Sequence, residues 1–370
     1  MMKNYINFLR VNINYFMGRT RYSSFAILLL IINCFLSCSD KGDKNLEEEF
    51  KRSKELNHEV VTIKDNEIYS KIYQLLINKN HLIAYDYNGE YFFSLTEINS
   101  GDIIARFGKK GQGPNEVITM PQILTLVGNI LYFYDIDRDI LFSINCNNGS
   151  NYIPQKIIDF DKNKKIMRVL PIADRKYVAL GGFDDGRYLL LDENGHEISC
   201  YFDYPNFEGD EHFTNYHKAF AFRGNLMRRP DGKRFFFAAR DSELFEIIEM
   251  NENDELNKVF SFQGEMAKYV PFGDGIKTVS VATKRESKMF FIDANCTQNY
   301  IYLLYSNKVI GNNLFNAFRS NKILVFDWNG KPVTSLHLDI EVSYIAIDEN
   351  DKNLYAYDQE NEHLVKFELI

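Results

Sequence analysis

The chain has 370 residues, with 43 basic and 51 acidic side chains and a formal net charge of −8. Removing the four basic residues ahead of Cys38 leaves 39 basic against 51 acidic residues, a net charge of −12. That acidic balance argues against nucleic acid as a partner. About 330 residues beyond the leader exceed what most single cores hold, whereas repeated units escape the limit because each packs only on its neighbours.

Residues 1–37 read as a signal peptide. Lys3, Arg10, Arg19 and Arg21 form a basic segment without an acidic residue, and an apolar run over 25–36 follows. The run suits a signal segment and is short for a membrane-spanning helix. It ends in Phe35-Leu36-Ser37-Cys38, which resembles the lipobox of bacterial lipoproteins. The resemblance implies cleavage before Cys38 and acylation of its thiol, and several acyl chains would tether the mature protein to a membrane. Met17 is an alternative start, since 17–38 alone makes a complete signal. Ser39-Asp40-Lys41-Gly42-Asp43 resembles the acidic surface-export signal of Bacteroidetes lipoproteins. Residues 38–57 are expected to be the lipidated cysteine and a charged tether, and 58–370 the folded domain. Cys146, Cys200 and Cys296 are an odd number, widely separated and without a C-x-x-C pair, which is not a disulfide framework, and they read as small apolar residues.

Residues 81–107 contain the unit that the rest of the chain repeats. Strands are expected over 82–87, 91–98 and 102–107, with an Asn88–Gly89 hairpin turn between the first two. The runs are continuously apolar, which suits sheets covered on both faces. A second unit follows, with strands over 123–127, 130–135, 140–146 and 156–160. The third has 177–180, 188–192 and 197–202. Strands over 219–222, 234–239, 244–250 and 257–262 make the fourth, and 289–293, 300–305, 323–328 and 333–338 the fifth. The sixth has 342–348, 354–357 and 364–369 and runs out one strand short. Residues 59–63, EVVTI, have no partner at the other end. Pairing them with 364–369 would remove two exposed edges at once. The expected fold is all-β, a six-bladed β-propeller whose last blade is closed by the N-terminal strand.

The blade order, the lipobox and the segment Phe107-Gly108-Lys109-Lys110-Gly111-Gln112-Gly113-Pro114-Asn115-Glu116 resemble the six-bladed propeller lipoproteins of Bacteroides and relatives, a TolB-like or NHL-like group. The resemblance implies the propeller and an outer-membrane lipoprotein facing the periplasm or the cell surface. NHL-type lyases hold zinc with histidines from several blades, and such a set cannot be assembled here. The seven histidines are scattered, and Asp135-x-Asp137-x-Asp139 lacks the Gly and distal Glu of a calcium loop and reads as a turn. No metal or cofactor is expected, and no complete catalytic motif is present.

In a propeller, outer-to-inner connections share one face with the turns between second and third strands. The long connections 205–217, 263–287 and 308–321, together with 108–116, fall on that face and mark it as the working surface. The glycines of 108–116 suit a tight turn, with Glu116 bonding loop amides. Candidate ligand-binding residues are Lys110 and Gln112 from the first connection and His212, Tyr216, His217 and Arg223 from the second. Tyr269 and Arg285 come from the third, Phe318 and Arg319 from the fourth. The primary expectation is a membrane-anchored binding or scaffolding propeller for a protein, peptide or glycan. The second is a lyase or hydrolase on the same face, metal-dependent in one form. Cys38→Ala should abolish fatty-acid labelling of the mature protein, and label persisting on that variant would reject the lipidation site.

Overall fold

The computed structural model describes residues 46–63, 72–113, 115–117, 121–147, 149, 151–273, 278–311 and 313–369. The leader, Cys38 and the export-like segment lie outside the described residues, as does Pro114.

Two short strands come first, β1 (Ser53–Leu56) and β2 (His58–Val61). Blade one contains β3 (Ile72–Asn78), β4 (His81–Asn88), β5 (Tyr91–Glu97) and β6 (Ile103–Lys109). Blade two contains β7 (Gln122–Val127), β8 (Ile130–Asp135), β9 (Ile140–Asn145) and β10 (Gln155–Asp159). Blade three contains β11 (Ile166–Pro171), β12 (Tyr177–Gly181), β13 (Tyr188–Leu191) and β14 (Glu197–Tyr201). Helix α1 (Asn215–Ala221) then leads into blade four, β15 (Gly224–Arg228), β16 (Arg234–Ala239), β17 (Leu244–Met250) and β18 (Leu256–Gln263). A separate hairpin, β19 (Tyr269–Gly273) and β20 (Thr278–Thr283), stands before blade five. That blade contains β21 (Lys288–Cys296), β22 (Tyr300–Val309), a short helix α2 (Leu314–Ala317), β23 (Ser320–Asp327) and β24 (Pro332–Val342). Blade six contains β25 (Ile345–Ile347), β26 (Asn353–Asp358) and β27 (His363–Glu368).

Within each blade the strands run antiparallel in chain order. Their apolar runs fill the spaces between blades, and each of six clusters is centred on one such space. One packs Phe93 and Phe107 of blade one against Phe133 and Phe142 of blade two. The next joins blades two and three through Tyr134, Phe160 and Tyr177. Further round, Tyr188 meets Phe235 between blades three and four, and Phe245 meets Phe326 between four and five. Leu304 and Leu354 lie in the cluster between five and six. Ile72, Leu75 and Leu82 of blade one then pack with Ala346, Tyr357 and Leu364 of blade six. Turn glycines allow close blade approach: Gly330, at φ +79°, sits where any Cβ would meet the Phe260 ring at 2.1 Å.

β2 lies antiparallel beside β27, with His58 opposite Phe367 and Val61 opposite Leu364. This is the partner strand expected for 59–63, one residue earlier at its start. β1, which the sequence reading left in a tether, lies parallel to β24 on blade five, with Ser53 opposite Ser335 and Leu56 opposite Leu338. The Asp339 carboxylate accepts the His58 N–H (3.2 Å) where the chain passes from one blade to the next. Among the described residues, packing on the blades is already present at Leu46, ahead of the expected boundary at His58. Leu46 is buried in the cluster between blades four and five. The Phe50 ring meets Phe326 edge-on with centroids 5.1 Å apart, and Glu47 pairs with Lys322.

Two other expectations change. Residues 219–222, read as the inner strand of blade four, belong to α1 and its C-terminal cap, and the inner strand is β15. The helix starts where the Thr214 N–H donates to His217 Nδ1 (3.2 Å), and Ala219, Ala221 and Phe222 are buried against blades three and four and the hairpin. The connection 263–287, read as a loop, holds that hairpin. No helix among the described residues is long and apolar enough to cross a membrane.

Leu46→Ala should lower unfolding stability by about 2–5 kcal/mol in chemical denaturation, and deletion of 39–56 should destabilise the whole domain. Unchanged midpoints for both would show that this segment rides on the ring without supporting it.

Candidate functional site

Hydrogen bonds show which connections share a face. Lys110 Nζ, after β6, donates to the Gly89 carbonyl in the β4–β5 turn (2.7 Å). Arg138, in the β8–β9 turn, donates to the carbonyl of Glu116 (2.7 Å). Arg223, ahead of β15, donates to Asp241 in the β16–β17 turn (3.0 Å), and Thr283 at the end of β20 donates to the same carboxylate (2.7 Å). Each bond joins an outer-to-inner connection to a second-to-third turn, so both classes meet on one face.

The glycine-rich connection after β6 folds around its own carboxylate. Glu116 accepts the Gly113 N–H (2.9 Å) and pairs with Lys109 (3.0 Å). A Cβ at Gly111, where φ is +153°, would fall 2.0 Å from Glu116 Oε2. The Gly113 amide, with Lys109, holds the Glu116 carboxyl below its ordinary pKa. Lys110 lies over the Phe92 ring (5.1 Å) and Gln112 is exposed. Neither lines the cavities described below. Asp135 Oδ1 accepts the N–H groups of Asp137 and Arg138 (both 3.2 Å), so the alternating carboxylates build a turn.

Several other candidates hold the scaffold. His217 caps α1, and Tyr216 covers Gly182 and meets Phe220 edge-on (5.1 Å). His212 is exposed on the preceding loop. Tyr269 is buried, its hydroxyl donating to the Ala221 carbonyl (2.8 Å) and its ring against Phe207 (4.9 Å). Arg319 is also buried; it pairs with Glu360 (2.5 Å) and donates to the Glu341 carbonyl (3.2 Å), bracing blade five on blade six.

Arg223, Arg285 and Phe318 do converge. They line an open cavity of about 610 Å³ with Phe272, Val281 and Leu314. A second cavity, of about 320 Å³, is the central channel itself, lined from all six blades. Arg240 and Phe318 line both, with the Arg240 guanidinium 5.1 Å over the Phe318 ring. The channel carries a polar belt that the sequence reading missed. Gln74 donates to the Leu124 carbonyl of blade two (3.3 Å). Arg168 of blade three donates to the Gly224 carbonyl of blade four. Asn225 of blade four donates to the Phe291 carbonyl of blade five (3.0 Å), and Asp293 of blade five accepts the Ile345 N–H of blade six (2.7 Å). The sequence signal was there: a polar residue breaks into the apolar run of the inner strand at Gln74, Arg168, Asn225 and Asp293.

Burial, with Arg240 and Arg223 nearby, lowers the Arg168 pKa to about 10. Burial works against charge on Asp241 too, yet Arg240, Arg223 and the Thr283 hydroxyl hold its carboxyl below the usual range. Asp293 goes the other way, pushed up to about 8 by burial. The lining thus offers guanidinium and amide donors, aromatic faces and one carboxyl held neutral. Among the described residues no group of three or more His, Cys, Asp or Glu is placed to hold a metal ion.

Residues 49–350 match the family described as TolB-like 6-blade propeller-like. No curated protein matches the sequence significantly. Among solved structures, the chain is similar to a member of the DUF4221 family from Bacteroides vulgatus ATCC 8482, at 9% identity and a TM-score of 0.53, covering 85% of this chain and 96% of that one. It is also similar to a protein assigned as exported from Bacteroides fragilis NCTC 9343, at 13% identity and a TM-score of 0.50, covering 88% and 96%. At these identities the likeness shows the fold alone.

Asp293 makes the channel sensitive to pH. Its carboxyl titrates at about 8 in the fold against an ordinary value of 3.8. Between those values the folded chain keeps a proton that the unfolded chain releases, so stability falls as pH rises, by at most about 1.4 kcal/mol per pH unit. Asp293→Asn keeps an acceptor for Ile345 and removes the titration. Its melting temperature should fall less than that of the parent between pH 5 and pH 8; parallel slopes would show that the carboxyl is not held neutral.

Proposed function

We propose that this chain, which belongs to the TolB-like six-bladed propeller family, is an envelope lipoprotein that binds a partner at the channel mouth on its long-loop face. The observation that carries the reading is the meeting of two cavities at Arg240 and Phe318, one lined from every blade and the other from the inserted hairpin and α2. Rigid inner strands hold the channel, and the long connections add the adaptable part. The lining suits holding a ligand: donors and rings predominate, and the Asp241 carboxylate that meets the Thr283 hydroxyl is taken up by Arg223 and Arg240. The basic and apolar leader and the Leu-Ser-Cys ending support export and anchoring through Cys38, as does likeness in fold to a Bacteroides protein assigned as exported. In this reading the tether places the propeller at the outer membrane, facing the periplasm or the cell surface.

A photo-crosslinker at Ser280, on the lining of the larger cavity, should capture a discrete partner in envelope preparations. One at Asn253, in the β17–β18 turn on the opposite face, should not. Arg240→Glu should remove the capture from Ser280. Capture from Asn253 alone would place binding on the other mouth and overturn the reading.

A further inference from the structure

We infer that the partner presents an acidic peptide segment carrying apolar side chains, which seats its carboxylates on an arginine cluster and its apolar groups on the rim formed by the hairpin and α2. This rests on the reading of the long-loop face given above and specifies what that face recognises.

Charge is the first observation. Arg168, Arg223, Arg240 and Arg285 line the two joined cavities, and the carboxyls among the lining residues are Asp241 and Asp293. Asp241 is fully buried and acts as a pedestal. Its Oδ1 accepts from Arg240 Nε (2.9 Å), and its Oδ2 from Arg223 Nη2 (3.0 Å) and the Thr283 hydroxyl (2.7 Å). Each guanidinium commits one nitrogen to that carboxylate and keeps further N–H groups for the cavity, in the planar arrangement that matches an incoming carboxylate. Three cations at one mouth of a chain that is acidic overall, with Arg168 in the channel beneath them, concentrate positive potential there, and the wall of apolar side chains strengthens it.

The second observation is apolar. Phe272 is 61% exposed, and Leu314 and Phe315 are each 51% exposed. All three lie on the hairpin or α2, the two insertions that flank the larger cavity, and Val279 and Val309 beside them are exposed as well. Exposed apolar groups gathered at the edge of a polar cavity mark an interaction surface. The rim is too open to enclose an acyl chain, and its exposed aliphatic groups, Leu314, Val279 and Val309, offer the hydroxyls of a glycan no partner. A peptide that alternates carboxylates and apolar side chains matches both halves, in charge and in the surface it covers.

The test uses the full chain in detergent and fluorescence anisotropy of labelled ten-residue peptides. Alternating Glu-Leu is compared with Gln-Leu and with Glu-Ser. The Glu-Leu peptide should bind at least about tenfold more tightly than either comparator, and added salt should weaken it. Arg285→Gln and Phe272→Ser, both at exposed positions, should each weaken it about tenfold without moving the melting temperature. Equal binding of Glu-Leu and Gln-Leu overturns the inference. So does stronger competition by polygalacturonate or by phosphatidylglycerol vesicles, which would assign the mouth to an acidic glycan or to a membrane surface. If the Ser280 crosslinker captures a partner while no acidic peptide binds, the inference falls and the site stands; capture from Asn253 alone removes both.

Discussion

Each blade of this protein is a sheet with two apolar faces, and a lone sheet of three or four strands cannot cover both. Burial of those faces against neighbouring blades is the constraint on which the rest depends. The six clusters follow one another from blade to blade, the last joining blade six to blade one. Phenylalanine and tyrosine fill most of this space, because large flat rings bridge two twisted sheets with few voids. The N-terminal segment follows the same logic. Its two strands lie along the outer edges of blades five and six, the edges that would otherwise present unpaired backbone.

Some of the polar groups that enter this packing tie one blade to the next. Arg187 and Glu246 pair between blades three and four with both side chains buried, the guanidinium lying over Tyr188 (4.8 Å) and Glu246 also meeting Lys258 (2.8 Å). A buried pair of this kind adds little net stability, but losing one partner would strand the other charge. It therefore specifies which sheet faces which. The channel belt works in the same way, since Gln74, Arg168, Asn225 and Asp293 each bond the backbone of the adjoining blade. The groups that would meet a ligand in the channel are thus also ties between blades, and their positions are set before any ligand arrives.

The mouth differs from the channel in kind. Its hairpin and short helix are insertions outside the blade pattern, and they carry exposed apolar side chains that the ring does not need. Asp241 links the two parts: it is buried, yet it holds Arg223 and Arg240 at the boundary between the channel and the insertions. A stiff polar channel beneath an adaptable apolar rim suits recognition of a partner with both kinds of chemistry.

The sequence by itself determined the propeller. Strand and turn alternate at short range, with Asn88–Gly89, Asn194–Gly195 and Asn329–Gly330 as punctuation, and the pleat makes that rhythm legible without knowledge of the ring. An orphan strand near residue 60 and a blade one strand short could be matched by counting alone. Tertiary structure decided the rest. Residues 219–222 look like a strand, but Thr214 and His217 start a helix whose buried side chains pack against two blades and the hairpin. Leu46 and Phe50 are single apolar residues in a charged stretch, and only the groove between blades four and five shows that they dock. Arg319 and Tyr269 looked like contact residues until burial gave them structural partners. Arg168, Arg240, Asp241 and Asp293 come from three blades and meet only because the ring closes the distance between them. Local periodicity is written in adjacent residues, whereas a site is a convergence of distant ones, and that depends on how the blades pack.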